Sequence, residues 1–208
     1  MKCAVCRKKS SVKLEYMPAL CKECFCKIIE KRIRKHVRIN KIFSKNDRIY
    51  VKGPLCRYLV KSIIKDLPVK YTNKNPNKIV LPYTADDACV DFLKSVFSNK
   101  SIKTKGRRDI KLAKANLWLS KGEIKQTQKQ THQIGAGLWD TNKTHQKKVK
   151  LLLPITDEEA SLFAKFKHLN FKPSKKDKEI QTLLNRIQER YPETKFSLVK
   201  SYEKINNL

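Results

Sequence analysis

Negative charge is the feature that this sequence most lacks. Across 208 residues, 19 aspartates and glutamates stand against 48 lysines and arginines, which leaves a formal net charge of +29 at pH 7. A thermophilic or lysine-biased proteome would raise glutamate together with lysine, so the imbalance argues against that explanation. A chain this cationic attracts polyanions, which favours nucleic acid as the partner class and leaves an anionic membrane surface as the weaker alternative.

Long apolar runs are absent as well. No run approaches the roughly 20 residues that a bilayer-spanning helix needs. With Cys3 so close to the first residue, we expect no signal peptide ahead of the folded module. Four of the seven cysteines form Cys-x-x-Cys pairs, which indicates metal-bound thiolates in a reducing compartment rather than disulfides. We therefore expect a cytoplasmic protein that does not enter the membrane.

The two cysteine pairs are Cys3 with Cys6 and Cys21 with Cys24. Each pair brings two thiolates to one metal ion, and two pairs complete a tetrahedral site. The sequence therefore predicts one structural zinc ion, with no open position for water, in a zinc ribbon over residues 1–26. A module this short depends on its metal to fold.

A basic connecting helix is predicted next, within residues 27–45. Apolar residues recur on one side of a helical wheel, and cations recur on the other with only Glu30 between them. Exposed helix faces normally mix the two signs of charge, so this one is predicted to bind nucleic-acid phosphates, with a merely solvated face as the alternative. The cations are Lys27, Lys31, Arg34, Lys35, Arg38 and Lys41.

The remaining chain, residues 46–208, repeats the order strand, turn, helix, which predicts an α/β domain with a parallel sheet. Thr84 with Asp87 and Thr156 with Glu159 are typical helix-capping pairs, and capping is favoured over a catalytic pair of carboxylates for Asp86 and Asp87. Strands are predicted at 48–51, 68–71, 78–81 and 150–154, and helices at 55–64, 85–97, 156–168 and 178–191.

Residues 98–148 differ from the rest of this domain. They are rich in lysine, glutamine, threonine and asparagine, which indicates a basic polar insertion or linker. Arg107 and Arg108 lie near its start and form a second candidate RNA contact. A solvated cationic loop is the alternative.

Several segments together resemble a known family. They are the two cysteine pairs with the basic helix, then Asn46 to Val51, Lys78 to Ala88, Leu153 to Ala160 and Leu183 to Lys204. This order is similar to that of the PP-loop tRNA 2-thiouridine synthetases, cytosolic thiouridylases that exchange oxygen for sulfur on tRNA uridine. The resemblance implies a reduced, Rossmann-like fold of the adenine nucleotide alpha-hydrolase kind, and it covers most of the chain except residues 98–148.

The resemblance breaks at the nucleotide loop. The family's Ser-Gly-Gly-x-Asp-Ser corresponds here to Lys52 to Arg57, which has one glycine, no serine and no aspartate, and Pro54 lacks the backbone N–H that a phosphate needs. The family's internal Cys-x-x-Cys is missing too. We therefore expect no bound ATP, no iron–sulfur cluster, no catalytic or cofactor-binding residue, and a protein that is not an enzyme.

The resemblance and its departures imply a non-catalytic, tRNA-binding subunit in 2-thiolation of the wobble uridine U34, paired as a heterodimer with a catalytic PP-loop thiouridylase. In that interpretation the cationic helix and Arg107 with Arg108 contact tRNA. Two alternatives remain. One is a general RNA-binding or ribosome-associated zinc protein, and the other is a subunit that completes a partner's active site in trans with Cys56, Cys89 or a basic residue.

Overall fold

The computed structural model describes residues 1–65, 67–97 and 146–207. Two short strands form an antiparallel hairpin, and four strands form a parallel sheet in the order β4-β3-β5-β6. The predicted α/β class with a parallel sheet is thus confirmed. The elements are β1 (Val12–Leu14), β2 (Met17–Leu20), α1 (Lys22–Ile39), β3 (Arg48–Val51), α2 (Pro54–Ile63), β4 (Lys70–Tyr71), β5 (Lys78–Leu81), α3 (Ala85–Phe97), β6 (Lys147–Lys150), α4 (Asp157–Phe166), α5 (Lys178–Arg190) and α6 (Thr194–Asn207).

The strand order reverses direction at the centre of the sheet. The connection through α2 carries the chain from β3 outward to β4, whereas the connection that begins with α3 carries it from β5 outward to β6 on the other side. In open parallel sheets such a reversal leaves a crevice at the carboxyl ends of the two central strands. A ligand site is therefore expected at the ends of β3 and β5.

One face of the sheet forms the larger core. Strand register places Ile49, Val51, Val80 and Val149 on the same side, and all four are buried together with residues of α1, α2 and α4. This core is continuous with the cysteine-bearing segment at the amino end, because Cys3, Leu14 and Phe25 belong to the same buried cluster. Burial of this apolar area, at roughly 25 cal/mol per Å², holds the ribbon segment against the sheet domain.

A second, smaller core joins α3, α5 and α6. Ala88 and Cys89 of α3 meet Leu184 of α5 and Val199 of α6, with Leu153 beside them. The side chain of Cys89 donates to the backbone carbonyl of Lys195 at 3.3 Å, and burial raises the pKa of this thiol to about 12. Cys89 is therefore a packing residue, as is Cys56, whose burial has the same effect on its pKa.

Three elements depart from the predicted positions. Helix α1, predicted within residues 27–45, spans Lys22–Ile39 and so begins at the second cysteine pair. Strand β6 begins at Lys147, and Leu151–Leu153, which were expected in this strand, form turns after it. Helix α6 follows Pro192, where only a basic and partly apolar tail was expected. Among the described residues, no helix is both long and apolar enough to cross a bilayer. The predictions for residues 98–145, Arg107 and Arg108 included, lie outside the described part of the chain.

Candidate metal centre and nucleic-acid interface

The four paired cysteines converge at the amino end of α1. Cys3 and Cys6 lie in the first turn of the chain, and Cys21 is the residue that caps α1, where its Sγ accepts from the backbone N–H of Cys24 at 3.5 Å. The four Sγ atoms all lie within 4.8 Å of one another. Three of the cysteines are buried and Cys6 is exposed, so the fold brings together the four residues that the spacing selects.

The local backbone favours the thiolate at Cys3 and Cys21, whereas the neighbouring cysteine side chains, Cys21 above all, raise the pKa of Cys24 to about 12. The backbone N–H of Cys6 is the main group that lowers the pKa of Cys3, to about 6, and the backbone N–H of Cys24 likewise lowers the pKa of Cys21. The thiolate is the form of cysteine that binds metals, and a tetrahedral set of four sulfurs takes zinc or iron–sulfur centres. The donor set therefore fits a thiolate-bound metal.

We call the six cations of the basic helix the cationic surface. Lys27, Lys31, Arg34 and Arg38 recur on the side of α1 opposite its buried residues, Lys35 lies beside them, and Lys41 follows the end of the helix. All six are exposed. Within the described chain their single ion pair is a loose one, 4.0 Å between Arg34 and Glu30. The surface therefore retains nearly all of its positive charge for a partner.

A second polar group, which sequence reasoning missed, lies near the carboxyl ends of the central strands. We call it the paired cluster. Lys176 Nζ lies 3.0 Å from Asp87 Oδ1 and 2.5 Å from Asp157 Oδ2, while Lys195 Nζ lies 2.6 Å from Asp86 Oδ1. Long sequence separations hide these pairs from any local pattern.

The predicted capping role of Asp87 is confirmed within this cluster. The backbone N–H of Thr84 donates to Asp87 Oδ2 at 2.9 Å, and Ser174 donates to its other oxygen. Burial alone would raise the pKa of Asp87, but these hydrogen bonds and Lys176 outweigh it and hold that pKa below its usual value. The two carboxylates in turn raise the pKa of Lys176 despite its burial, so the pair stays charged at neutral pH.

A crevice of about 300 Å³ opens beside the paired cluster. Lys52 follows β3, Tyr83 follows β5, and Lys94 lies on α3. Gly53 precedes α2 with a φ of 85°, and Pro54 begins that helix. Four lysines and two carboxylates line the crevice, so its charge suits an anionic ligand. The lining charges are Lys52, Lys94, Lys175, Lys176, Asp87 and Asp91.

Comparison of the structure with solved structures identifies the fold, whereas comparison of the sequence identifies no family. No protein-family model matches the sequence, and no curated protein matches it. Among solved structures, the U34-tRNA thiolase NcsA from Methanococcus maripaludis, with its 4Fe-4S cluster, aligns over 98% of this chain and 86% of its own with a TM-score of 0.63 and 14% identity. The chain therefore has a fold like that of a PP-loop tRNA thiolase.

This comparison corrects the cofactor expectation. We expected zinc at Cys3, Cys6, Cys21 and Cys24, and neither ATP nor an iron–sulfur cluster in the protein. The structural neighbour contains a 4Fe-4S cluster, and the four gathered cysteines are a ligand set that iron–sulfur centres also use. Because zinc and iron–sulfur centres share thiolate ligands, cysteine spacing alone was too weak a basis for that assignment.

The comparison also corrects the expectation that the chain is not an enzyme. The neighbour is a thiolase, hence an enzyme, and it shares its fold with almost the whole of this chain. The altered loop from Lys52 to Arg57 was the basis of that expectation. A changed phosphate loop alters how a nucleotide would be held, but it does not by itself exclude catalysis, since site chemistry depends on all of the residues that converge there.

Proposed function

We propose that the protein is a tRNA-binding component of a tRNA-thiolating enzyme that modifies the wobble uridine U34. The observation that carries this proposal is the thiolase-like fold combined with a cationic surface that begins at the cysteine site. Shared fold alone does not fix function, and the unpaired cations supply the second, independent support. In this proposal the cationic surface contacts tRNA phosphates, which position the RNA without reading its sequence.

The proposed partners follow from the same interpretation. A net charge of +29 attracts polyanions, and tRNA is the polyanion that we propose. A catalytic PP-loop thiouridylase is the proposed protein partner. Arg107 and Arg108 are proposed as further tRNA contacts. Pull-down from native extract followed by mass spectrometry tests the protein partner: a stoichiometric thiouridylase supports the proposal, whereas ribosomal subunits alone contradict it.

The cysteine site is proposed to hold a thiolate-bound metal, and the comparison favours iron. Its test is elemental and sulfide analysis of protein purified without oxygen, together with the visible absorption spectrum. Iron and acid-labile sulfide that are both lost in the Cys21→Ser, Cys24→Ser variant would support an iron–sulfur centre. A full complement of another metal, with no iron, would contradict it.

The functional test measures tRNA binding and thiolation separately. The double substitution Arg34→Glu and Arg38→Glu is expected to weaken tRNA binding by roughly tenfold or more at low salt, because two phosphate contacts become repulsive. Arg186 and Arg190 on α5 have the same spacing and are also exposed, so their substitution by glutamate is the matched control. Cells that lack the protein are expected to lose 2-thiouridine at U34; retained thiolation would contradict the proposed function.

A further inference from the structure

The carboxyl end of α1 is a Schellman motif. The backbone N–H of Ile42 donates to the carbonyl of Val37, and that of Lys41 donates to the carbonyl of Arg38, so the chain folds back over the last turn. Lys41 occupies the position at which glycine is usual, with a φ of 44°. A lysine there costs roughly 1 kcal/mol in backbone strain relative to glycine.

A groove of about 650 Å³ lies where this turn approaches the end of α2. Its volume falls within the range of pockets that hold small organic groups. The floor is apolar: Val37 is buried, and Phe43, Ile63 and Leu67 are half-buried. Since Phe43 is the aromatic residue of this lining, it offers the ring on which a planar group could stack.

The rim of the groove is cationic. Arg34, Arg38 and Lys41 line it, and no acidic residue is among the described residues that do so. Arg38 and Lys41 have no ion pair within the described chain, and Arg34 has only its loose contact with Glu30. An apolar floor below unpaired cations matches a ligand with one planar apolar part and one anionic part.

We infer that this groove takes an unpaired nucleotide of the bound RNA, with the base against Phe43 and the adjoining phosphates on Arg34, Arg38 and Lys41. This inference rests on the proposed function, since it assigns one part of the cationic surface. Single-stranded RNA is recognised through unstacked bases on aromatic side chains, whereas duplex RNA keeps its bases stacked. The rest of the cationic surface contacts backbone phosphates only.

The groove is far from the cysteine site along the helix. Cys24 and Arg38 are separated by fourteen residues of α1, which corresponds to roughly 21 Å at the rise of an α-helix. A nucleotide in the groove therefore does not contact the cysteine site. The groove is thus a holding site for RNA, one that would fix the register of an unpaired segment on the protein.

The test uses the full-length protein and three RNA probes: a short single-stranded oligoribonucleotide, the same strand with one abasic position, and a duplex. Phe43→Leu keeps an apolar side chain but removes the ring, and it is expected to weaken binding of the single strand about five- to a hundredfold while leaving duplex binding unchanged. Phe43→Tyr retains a ring and is expected to bind as the wild type does. Wild-type protein is expected to bind the abasic strand less tightly than the intact strand.

Lys41→Gly is an independent variant. It relieves the positive φ, so its thermal stability is expected to equal or exceed that of the wild type, while its affinity for the single strand is expected to fall about threefold to tenfold because one phosphate contact is lost. A Lys41→Gly variant that binds RNA as tightly as the wild type would overturn the assignment of the rim.

The outcomes separate this inference from the proposed function. If the wild-type protein binds none of the RNA probes and no tRNA, the proposed function itself fails. If the wild-type protein binds tRNA, and the Phe43→Leu variant binds each probe as tightly as the wild type does, the groove inference fails and the proposed function stands. Loss of the thiouridylase partner from the Phe43→Leu variant, with RNA affinity unchanged, would assign the groove to a protein instead and would also overturn the inference.

Discussion

Lysine occupies two contrasting environments in this molecule. In the paired cluster, Lys176 has a side chain that is only 3% exposed and contacts two carboxylates. On α1, Lys27 and Lys31 are exposed and have no ion pair within the described chain. The same ammonium group is thus neutralised at the sheet and left free on the helix, which separates cations that stabilise the fold from cations that are available to a partner.

This contrast explains how so cationic a chain stays folded. A buried charge is tolerated only when it is paired and hydrogen-bonded, so the scarce carboxylates are placed where they are needed: Asp86, Asp87 and Asp157 with lysines near the sheet, and Glu159 beneath Arg32. Exposed cations need no such partners because water solvates them. The excess positive charge therefore accumulates on the surface, where it can act in binding.

Removing the buried cation should have the largest effect on stability. Lys176→Met leaves two carboxylates near each other without their shared partner, and the free energy of unfolding is expected to fall by about 3–5 kcal/mol. Chemical denaturation followed by circular dichroism measures it. Lys175→Met, at the exposed neighbouring position, is the control, for which a change below about 0.5 kcal/mol is expected. Equal effects at the two positions would remove the distinction between paired and free cations.

The second prediction concerns Arg32 and Glu159, which join α1 to α4. Arg32 Nη1 donates to Glu159 Oε1 at 2.8 Å; the glutamate side chain is fully buried and that of the arginine is 30% exposed. Arg32→Met is expected to lower the free energy of unfolding by about 2–3 kcal/mol at pH 7, below the loss for Lys176 because water reaches the arginine.

The loss in the Arg32 variant should depend on pH. Burial raises the pKa of Glu159 even with Arg32 in place, and removing the arginine raises it further. The folded state then favours the neutral carboxyl, so the contribution of Glu159 to stability is full below its unfolded pKa of about 4.3 and is lost as pH rises through the folded pKa. The deficit of Arg32→Met against the wild type is therefore expected to shrink as pH falls from 7.

Glu159→Gln in the Arg32→Met background is the control for that titration. Glutamine preserves the capping box that Glu159 forms with Thr156 but cannot ionise. Denaturation at several pH values should show a difference in unfolding free energy between this double variant and Glu159→Gln alone that does not vary with pH. A difference that still shrinks toward low pH would assign the titration to another group.

Much of the fold could be predicted because local patterns determine it. The capping box of Thr156 and Glu159 and the apolar face of α1 are visible in the sequence, and both are confirmed. Strand β6 could not be placed, since three of its four residues are lysines. It lies at the edge of the sheet, where exposed lysines are tolerated and only Val149 enters the core.

The candidate site, too, could be predicted from the sequence only in part. The four cysteines were selected by spacing, because metal ligands in short turns are a local pattern, but spacing does not identify the metal. The groove could not be predicted, since it forms only when the end of α1 meets Ile63 and Leu67 in the folded chain. Ion pairs such as that of Lys195 with Asp86 were equally invisible, because nothing local connects their partners.

The smallest expected effect on stability is at the exposed cations. Arg34→Gln combined with Arg38→Gln is expected to change the free energy of unfolding by less than about 0.5 kcal/mol, since neither side chain has a close ion pair in the described chain. Log affinity for tRNA falls as log salt concentration rises, and in this variant the line should be less steep by about 1.5, because two phosphate contacts are lost. Denaturation and salt titration of tRNA binding measure the two quantities.

The control for this last prediction is Arg186→Gln with Arg190→Gln on α5, an arginine pair with the same spacing and the same exposure. It removes the same net charge, so any effect of overall charge on tRNA binding is equal in the two variants. An unchanged salt slope in the α5 variant beside a reduced one in the α1 variant assigns the phosphate contacts to the cationic surface. Equal slopes would mean that tRNA is attracted by net charge alone, and the contrast between the two lysine environments would then explain stability but not binding.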